Sequence, residues 1–322
     1  MKPESFAPDR PDPYAAILQH AKALPRIRVA VIHPVDIAAI EAAVEAADEG
    51  LIDPVLIGPR QRVLQAAAEY ATLRGGDISG WALIDVEHSH AAAAKGVELA
   101  AAGQVDALMK GALHTDELLH PVVAAASGLR TESRISHAYV LDVPSYHKPL
   151  IITDAAINIA PDLAAKADIC RNAIALWHCL FGHERVPKIA LLSAVETVNP
   201  AMPSTVDAAA LCKMADRGQI TGALLDGPLA YDNIISRQAA LDKGIASEVA
   251  GDADIIVVPN IEAGNALSKQ LIYLAGARAA GIVLGARVPI ILTSRADSVA
   301  TRLLSCVAAM YLVDARKHDL IK

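Results

Sequence analysis

The sequence predicts a doubly wound α/β protein: two α/β/α domains with mainly parallel sheets and a cleft between them. Three observations carry this. Short β-branched runs alternate with longer Ala-rich amphipathic stretches, the order that builds strands covered by helices. Most of the short runs are continuously apolar, as strands buried on both faces are. With 322 residues, 53% hydrophobic and 20% charged, the chain has material for two such cores.

The expected strands are Ile27–Ile32, Pro54–Ile57, Trp81–Asp85, Asp106–Met109, His137–Leu141, Pro149–Thr153, Lys188–Ser193, Thr221–Leu225, Asp254–Val258, Gly281–Leu284 and Val288–Thr293. Between them, helices are expected at Asp36–Glu49, Gln61–Ala71, His90–Ala102, Asp116–Ala126, Asp162–Phe181, Ser204–Asp216, Glu262–Ala277 and Ser298–Ala315. Several open on Asp, Ser or Thr, the residues that cap free N–H groups at a helix start. The pair His137–Leu141 and Pro149–Thr153 departs from the alternation. Its connection is too short for a crossover helix, so it reads as an antiparallel hairpin. The domain junction falls just before it, near Arg134. If the last strand and helix return to the first domain, the domains are 1–135 plus 286–322, and 136–285.

Composition narrows the function. A formal net charge of −7 argues against a general nucleic-acid or anionic-membrane binder. Aromatics are 3% of the chain, too few for base-stacking platforms. The four cysteines, Cys170, Cys179, Cys212 and Cys306, form no C-x-x-C pair, so reduced buried thiols and a cytoplasmic location are expected. Met1–Pro13 is polar and Pro-rich, without the apolar core of a signal peptide. The apolar runs are too short and too interrupted for a membrane span.

The chemistry-bearing residues gather at strand ends, where ligands of open α/β sheets bind. Val288–Thr293 ends in Ser294-Arg295-Ala296-Asp297-Ser298 and a long helix follows. A helix start suits phosphate; Ser294 and Ser298 add hydroxyls, and Arg295 a planar two-pronged donor. Asp297 reads as an N-cap or a base. The whole run also reads as ordinary capping beside a surface Arg. Asp226-Gly227-Pro228 follows a strand as a tight turn with a carboxylate, and Glu262, Gly264 and Asn265 open a helix after another; turn chemistry is the plain alternative for both. In the first half, Lys110 could hold phosphate, Gly111 permits close backbone approach, and Thr115, after His114, caps the next helix. Arg130 and Arg134 supply cations near the junction, with Ser136 and His137 next, and Asp154 to Asn158 follows the hairpin. His178, Cys179 and His183 match no standard zinc spacing, and surface imidazoles are the plainer reading of His88 and His90. No Walker loop, G-x-G-x-x-G or G-x-S-x-G is present.

Taken in order, these motifs resemble the phosphate acetyltransferases and phosphate butyryltransferases. They are Lys110-Gly111 with His114-Thr115, Ser136-His137, Ile152 to Asn158, Leu192-Ser193, Asp226-Gly227-Pro228, Val249 to Asp254, Glu262 to Asn265, and Thr293 to Ser298. The wording is also similar to the transferase part of fused enoyl-CoA hydratase/phosphate acetyltransferases, here without the hydratase module. The resemblance implies a fold like the isocitrate and isopropylmalate dehydrogenases and a homodimer formed through the second domain. It implies the reaction of acyl phosphate with coenzyme A, CoA being a substrate, with no tightly bound cofactor and no metal needed. Arg295 would bind phosphoryl oxygens and Ser294 the charge developing at the acyl centre. Thr301 stands where the acetyl branch places its catalytic Asp, so the base is Asp297 or, as a second candidate, Asp226. The run looks more like the butyryl branch. Two other readings stay open: an NAD-dependent hydroxy-acid dehydrogenase on the same fold, and a non-catalytic CoA-binding regulatory domain.

Overall fold

The computed structural model describes residues 12–292, 298–318 and 320. Among these the elements run α1 (Pro13–Ala21), β1 (Ile27–Ile32), α2 (Ile37–Asp48), β2 (Ile52–Gly58), α3 (Arg60–Arg74), β3 (Ala82–Asp85), α4 (Ser89–Ala101), β4 (Ala107–Lys110), α5 (Thr115–Val123), β5 (Ser136–Asp142) and β6 (Leu150–Thr153). They continue with α6 (Leu163–Phe181), β7 (Lys188–Leu192), α7 (Pro203–Asp216), β8 (Leu224–Leu229), α8 (Tyr231–Ile235), α9 (Arg237–Asp242), β9 (Ile255–Val257), α10 (Ile261–Tyr273), β10 (Arg278–Leu284), β11 (Ile290–Ile291) and α11 (Val299–Lys317). The expected mixed α/β architecture with mostly parallel strands is what forms.

The chain divides into two compact units. The β1 unit comprises Ala16–Ile135 and Ala280–Lys322, and the hairpin unit Ser136–Ala279 with the residues up to Ala15. Within the β1 unit the strand order is β3-β2-β1-β4-β11-β10. All neighbours are parallel except β10 and β11, which pair antiparallel across a short turn. Ile32, Ile52, Leu56, Ile57, Leu108 and Met109 are almost wholly buried, the continuous apolar strands requiring cover on both faces. In the hairpin unit the order is β5-β6-β9-β7-β8. Here β5 and β6 form the antiparallel hairpin, and the remaining pairs are parallel. Its core packs Leu141, Leu150, Ile152, Leu229, Ile256 and Leu271 together.

Helix starts follow cap chemistry. Asp36, Asp162, Asn260 and Ser298 each accept a hydrogen bond from the backbone N–H three residues on. Thr115 does not cap α5: it is the first helical residue, and His114 holds the cap position without a side-chain bond. The helix α1 was not expected. Pro13 opens it, and Asp12 Oδ1 accepts from Tyr14 N at 2.9 Å, satisfying a free donor. The short helices α8 and α9 were also not expected.

Strand β8 corrects a second expectation. Asp226, Gly227 and Pro228 lie inside the strand, not in a turn after it. The register shifts between Ala190 and Leu192 of β7, so the β8 segment around Gly227 and Pro228 faces Leu191 as a bulge. Pro228 is tolerated because β8 is an edge strand of its unit. No helix among the described residues is long and apolar enough to cross a membrane.

Candidate active site

In the β1 unit the chain runs from β1 outward to β2 and β3, then returns so that β4 lies on the other side of β1. This reversal is a topological switch point, and its carboxyl edge is where an open α/β sheet leaves a crevice. His33 follows β1 there, Lys110 ends β4, and Gly111 comes next. The two strand ends are knitted together: Gly111 N donates to Ile32 O at 2.9 Å and Ala112 N to His33 O at 2.9 Å. A Cβ on Gly111 would stand 2.4 Å from Ile32 O, so only glycine allows this approach. The half-buried Lys110 reaches Gly111 O at 3.4 Å. His114 is exposed and Thr115 half-buried at the start of α5.

Strand β11 is parallel to β4, with Ile290 beside Leu108 and Ile291 beside Met109. The chain therefore leaves β11 at the same edge at which β4 ends in Lys110. Ser294, Arg295 and Asp297 lie outside the described residues. The helix after them is capped by Ser298, whose Oγ accepts from Thr301 N at 3.2 Å. Arg130 is elsewhere in the unit. Its backbone bridges Ala286, in the β10–β11 turn, at the edge where β4 and β11 begin. The backbone of Arg130 and the side of Lys110 therefore sit at opposite ends of the parallel strands β4 and β11. Arg134 is exposed in the segment leading to β5.

The hairpin unit gathers Asp154, Asn158, Gly264 and Asn265. The Asp154 carboxylate accepts from Ala156 N at 2.9 Å, Ile157 N at 3.0 Å, Asn158 N at 3.1 Å and Asn158 Nδ2 at 2.6 Å. The Thr153–Asp154 peptide is cis. Helix α10 lies against this loop. A Cβ on Gly264 would meet Asp154 O at 2.3 Å, and Asn265 Nδ2 donates to Ala155 O at 3.3 Å. Glu262 is exposed on the first turn of α10. Ser193, just past β7, shares a 2.8 Å hydrogen bond with Ser204 Oγ. Asp226 lies within β8, opposite Ala190, with Oδ1 accepting from Gly227 N at 2.8 Å.

Ser136 and His137 are fully buried. Asn172 Nδ2 donates to Ser136 Oγ at 2.8 Å, and His137 stands edge-on to Tyr139 at 4.6 Å. Neither ring nitrogen of His137 has a partner. Burial pushes its pKa down to about 4, against an upward pull from Asp154. As consecutive residues of β5 they point to opposite faces of the strand, and both are shut off from solvent.

Sequence reasoning missed several groups. His33 was passed over, although a His-Pro step directly after a strand marks it. Glu196 accepts from both Asn233 Nδ2 and Lys243 Nζ, an arrangement no local motif signals. Where β7 and β9 begin, Asp252 meets Lys148, Lys188 and His147, and Asp254 meets Lys148 and Arg185. Burial works against the Asp252 carboxylate, but hydrogen bonds from Lys148, Lys188 and His147 outweigh it and hold its pKa well below the carboxylate range. His88 Nδ1 caps α4, and the ring of His178 bonds Gly182 O and Gly222 O. Burial raises the Cys170, Cys212 and Cys306 thiols to about 12, which leaves them poor nucleophiles. Among the described residues no group of three or more His, Cys, Asp or Glu side chains is placed to hold a metal ion.

Doubly wound units with polar loops at the carboxyl ends of parallel strands define an α/β enzyme fold. The family described as "Phosphate acetyl/butaryl transferase" matches residues 82–310. The phosphate acetyltransferase of Rhizobium meliloti is 55% identical over 310 residues, covering 96% of each chain. The phosphate butyryltransferase of Clostridium acetobutylicum is 40% identical over 293 residues, 91% of this chain and 95% of that one. The crystal structure of a branched-chain phosphotransacylase from Enterococcus faecalis V583 superposes with a TM-score of 0.75 at 32% identity, covering 89% of this chain and 99% of that one. The chain belongs to the phosphate acetyl/butyryl transferase family, and it is a phosphate acyltransferase enzyme. These relatives do not favour the dehydrogenase or the non-catalytic reading.

Proposed function

We propose that the enzyme interconverts acyl phosphate plus coenzyme A and acyl-CoA plus phosphate at the carboxyl edge of the β1 unit. The observation that carries this reading is the parallel pairing of β11 with β4, which brings the chain to that edge beside Lys110 just before residue 293. Arg295 and Lys110 bind the phosphoryl oxygens, and Ser294 hydrogen-bonds the charge that develops on the acyl carbonyl. Asp297 takes the proton from the CoA thiol, whose pKa near ~8.5 leaves it mostly protonated at neutral pH. The thiolate sulfur then bonds to the acyl carbon, the carbon–oxygen bond to phosphate breaks, and phosphate departs with that electron pair. Asp226 is the weaker base candidate, since its carboxylate is engaged inside β8.

Asp154, Asn158, Ser193, Glu262, Gly264 and Asn265 serve substrate binding on the hairpin unit, with Asp154 shaping the loop and Asn158 and Asn265 offering amides. Ser136, His137, Gly227 and Pro228 support that surface from inside. CoA is a substrate and no cofactor is held tightly. The enzyme works in the cytoplasm as a homodimer formed through the hairpin unit.

The test is thioester formation from acetyl and butyryl phosphate with CoA, wild type against Arg295→Ala and Asp297→Asn. Arg295→Ala lowers kcat/KM by about 10²–10³-fold, as loss of a transition-state donor does. Asp297→Asn lowers kcat by roughly 10²–10⁴-fold through loss of the base. Wild-type rates no faster than buffer overturn the reading.

A further inference from the structure

His33 occupies the switch point without an explained purpose. It is 5% exposed and directly follows β1. Its backbone is fully committed: N donates to Ile57 O at 2.7 Å, and O accepts from Val35 N and Ala112 N, both at 2.9 Å. Among the described residues it is the one non-glycine with a left-handed backbone, at φ 56°. That conformation costs a β-carbon residue on the order of 1 kcal/mol, and glycine or asparagine adopts it more readily. Histidine is among the residues enriched at positive φ, but glycine and asparagine fit there at least as well, so the backbone does not require an imidazole.

The ring shows an unmet need. Nδ1 is sealed from solvent and has no hydrogen-bond partner, whereas Nε2 is not among the sealed atoms. An orphaned buried N–H is worse tolerated than an orphaned acceptor, which puts the ring proton on Nε2. Burial lowers the pKa of the ring; Arg62 and His88 lower it further, and Glu117 and Asp36 oppose them. At neutral pH the ring is therefore uncharged, with a single N–H to donate.

We propose that His33 is a further substrate-contacting residue, its Nε2–H donating a hydrogen bond to an oxygen of the acyl phosphate. This rests on placing the transfer site at the carboxyl edge of the β1 unit. A neutral donor suits that edge, because it binds an anionic oxygen without adding a second fixed charge beside Lys110. It also acts on the acyl phosphate alone, so it separates the two substrates kinetically.

The experiment measures KM for acetyl phosphate and for CoA, each at saturating partner, in wild type, His33→Ala, His33→Asn and Arg295→Ala. We expect His33→Ala to raise KM for acetyl phosphate roughly 10- to 100-fold, the worth of one hydrogen bond to a charged oxygen. KM for CoA stays within about twofold, and His33→Asn, which keeps an N–H donor and tolerates the left-handed backbone, recovers part of the loss. An unchanged KM for acetyl phosphate, or equal rises for both substrates, overturns the inference. Arg295→Ala separates the failures. If it loses activity while His33→Ala keeps its KM, only the His33 role falls; if it keeps full activity, the site itself falls. Should His33→Ala not fold, ring-labelled histidine in the wild-type enzyme gives the answer. The His33 resonance, assigned by its disappearance in His33→Asn, must shift on saturation with acetyl phosphate without CoA. A resonance that does not move overturns the proposal.

Discussion

At Asp154 one carboxylate accepts four hydrogen bonds, three from backbone N–H groups and one from the Asn158 amide. Each bond to a charged acceptor is worth about 1.5–3 kcal/mol, but bonds sharing one carboxylate do not add. Asp154→Ala should therefore destabilise the protein by about 3 kcal/mol, read from urea unfolding, with Asp154→Asn intermediate. Gly264→Ala tests the same loop from the other side. Its methyl would press on Asp154 O at 2.3 Å, and we expect a loss of about 2 kcal/mol with no change in charge. Wild-type stability in Gly264→Ala would show that the loop yields freely. The sequence marked Asp154 as a candidate ligand. Its role as a loop organiser was hidden, because three of its four partners are backbone groups that adopt their positions only in the folded turn.

On the scale of elements, α11 carries the chain away from the Ser294-Arg295 segment and is anchored by a buried ion pair. Arg302 reaches Glu41 Oε2 on α2 at 2.7 Å and Ala38 O at 2.9 Å. The Arg302 side chain is 7% exposed and that of Glu41 16%. Removing one partner of such a pair costs about 3 kcal/mol, because the other charge stays behind unpaired. Arg302→Leu should lower the urea midpoint accordingly, and Arg302→Leu with Glu41→Leu should recover most of the loss. A double variant no more stable than the single one would place the effect in packing. The sequence located α11 and its Ser298 cap because both are local signals. It did not reveal the pairing with α2, since Glu41 and Arg302 are remote in the chain. Strand β8 was misplaced for a related reason. Gly227 and Pro228 favour turns by their own chemistry, and only the bulge opposite Leu191 on an edge strand accommodates them in the sheet.

For the whole molecule, His137 sets a pH dependence of stability. Its pKa in the folded chain is about 4 against an ordinary 6.5, lowered by burial. Between these values the unfolded chain binds a proton that the folded chain refuses. The contribution is complete above pH 6.5 and is lost as the pH falls toward 4. Melting temperature should drop through this window, and His137→Leu should flatten that part of the curve. A wild-type profile level from pH 6.5 to 4 would contradict the buried neutral ring. A more acidic window belongs to Asp12, held at about 2 chiefly by its hydrogen bonds to Arg278. Its contribution persists above the usual carboxylate range and fades only as the pH falls toward 2.

The sequence by itself determined the fold class, most strand and helix positions, the antiparallel hairpin and the family. These rest on short-range periodicity, cap chemistry and the order of motifs, all written along the chain. Tertiary structure alone decided which strand ends share an edge. Strand direction places Lys110 with the end of β11 and separates both from the backbone of Arg130, and the switch point singles out His33, which lies outside the motifs that carry the family resemblance. That selection depends on contacts between residues far apart in sequence, and such contacts exist only once the sheet has closed around them.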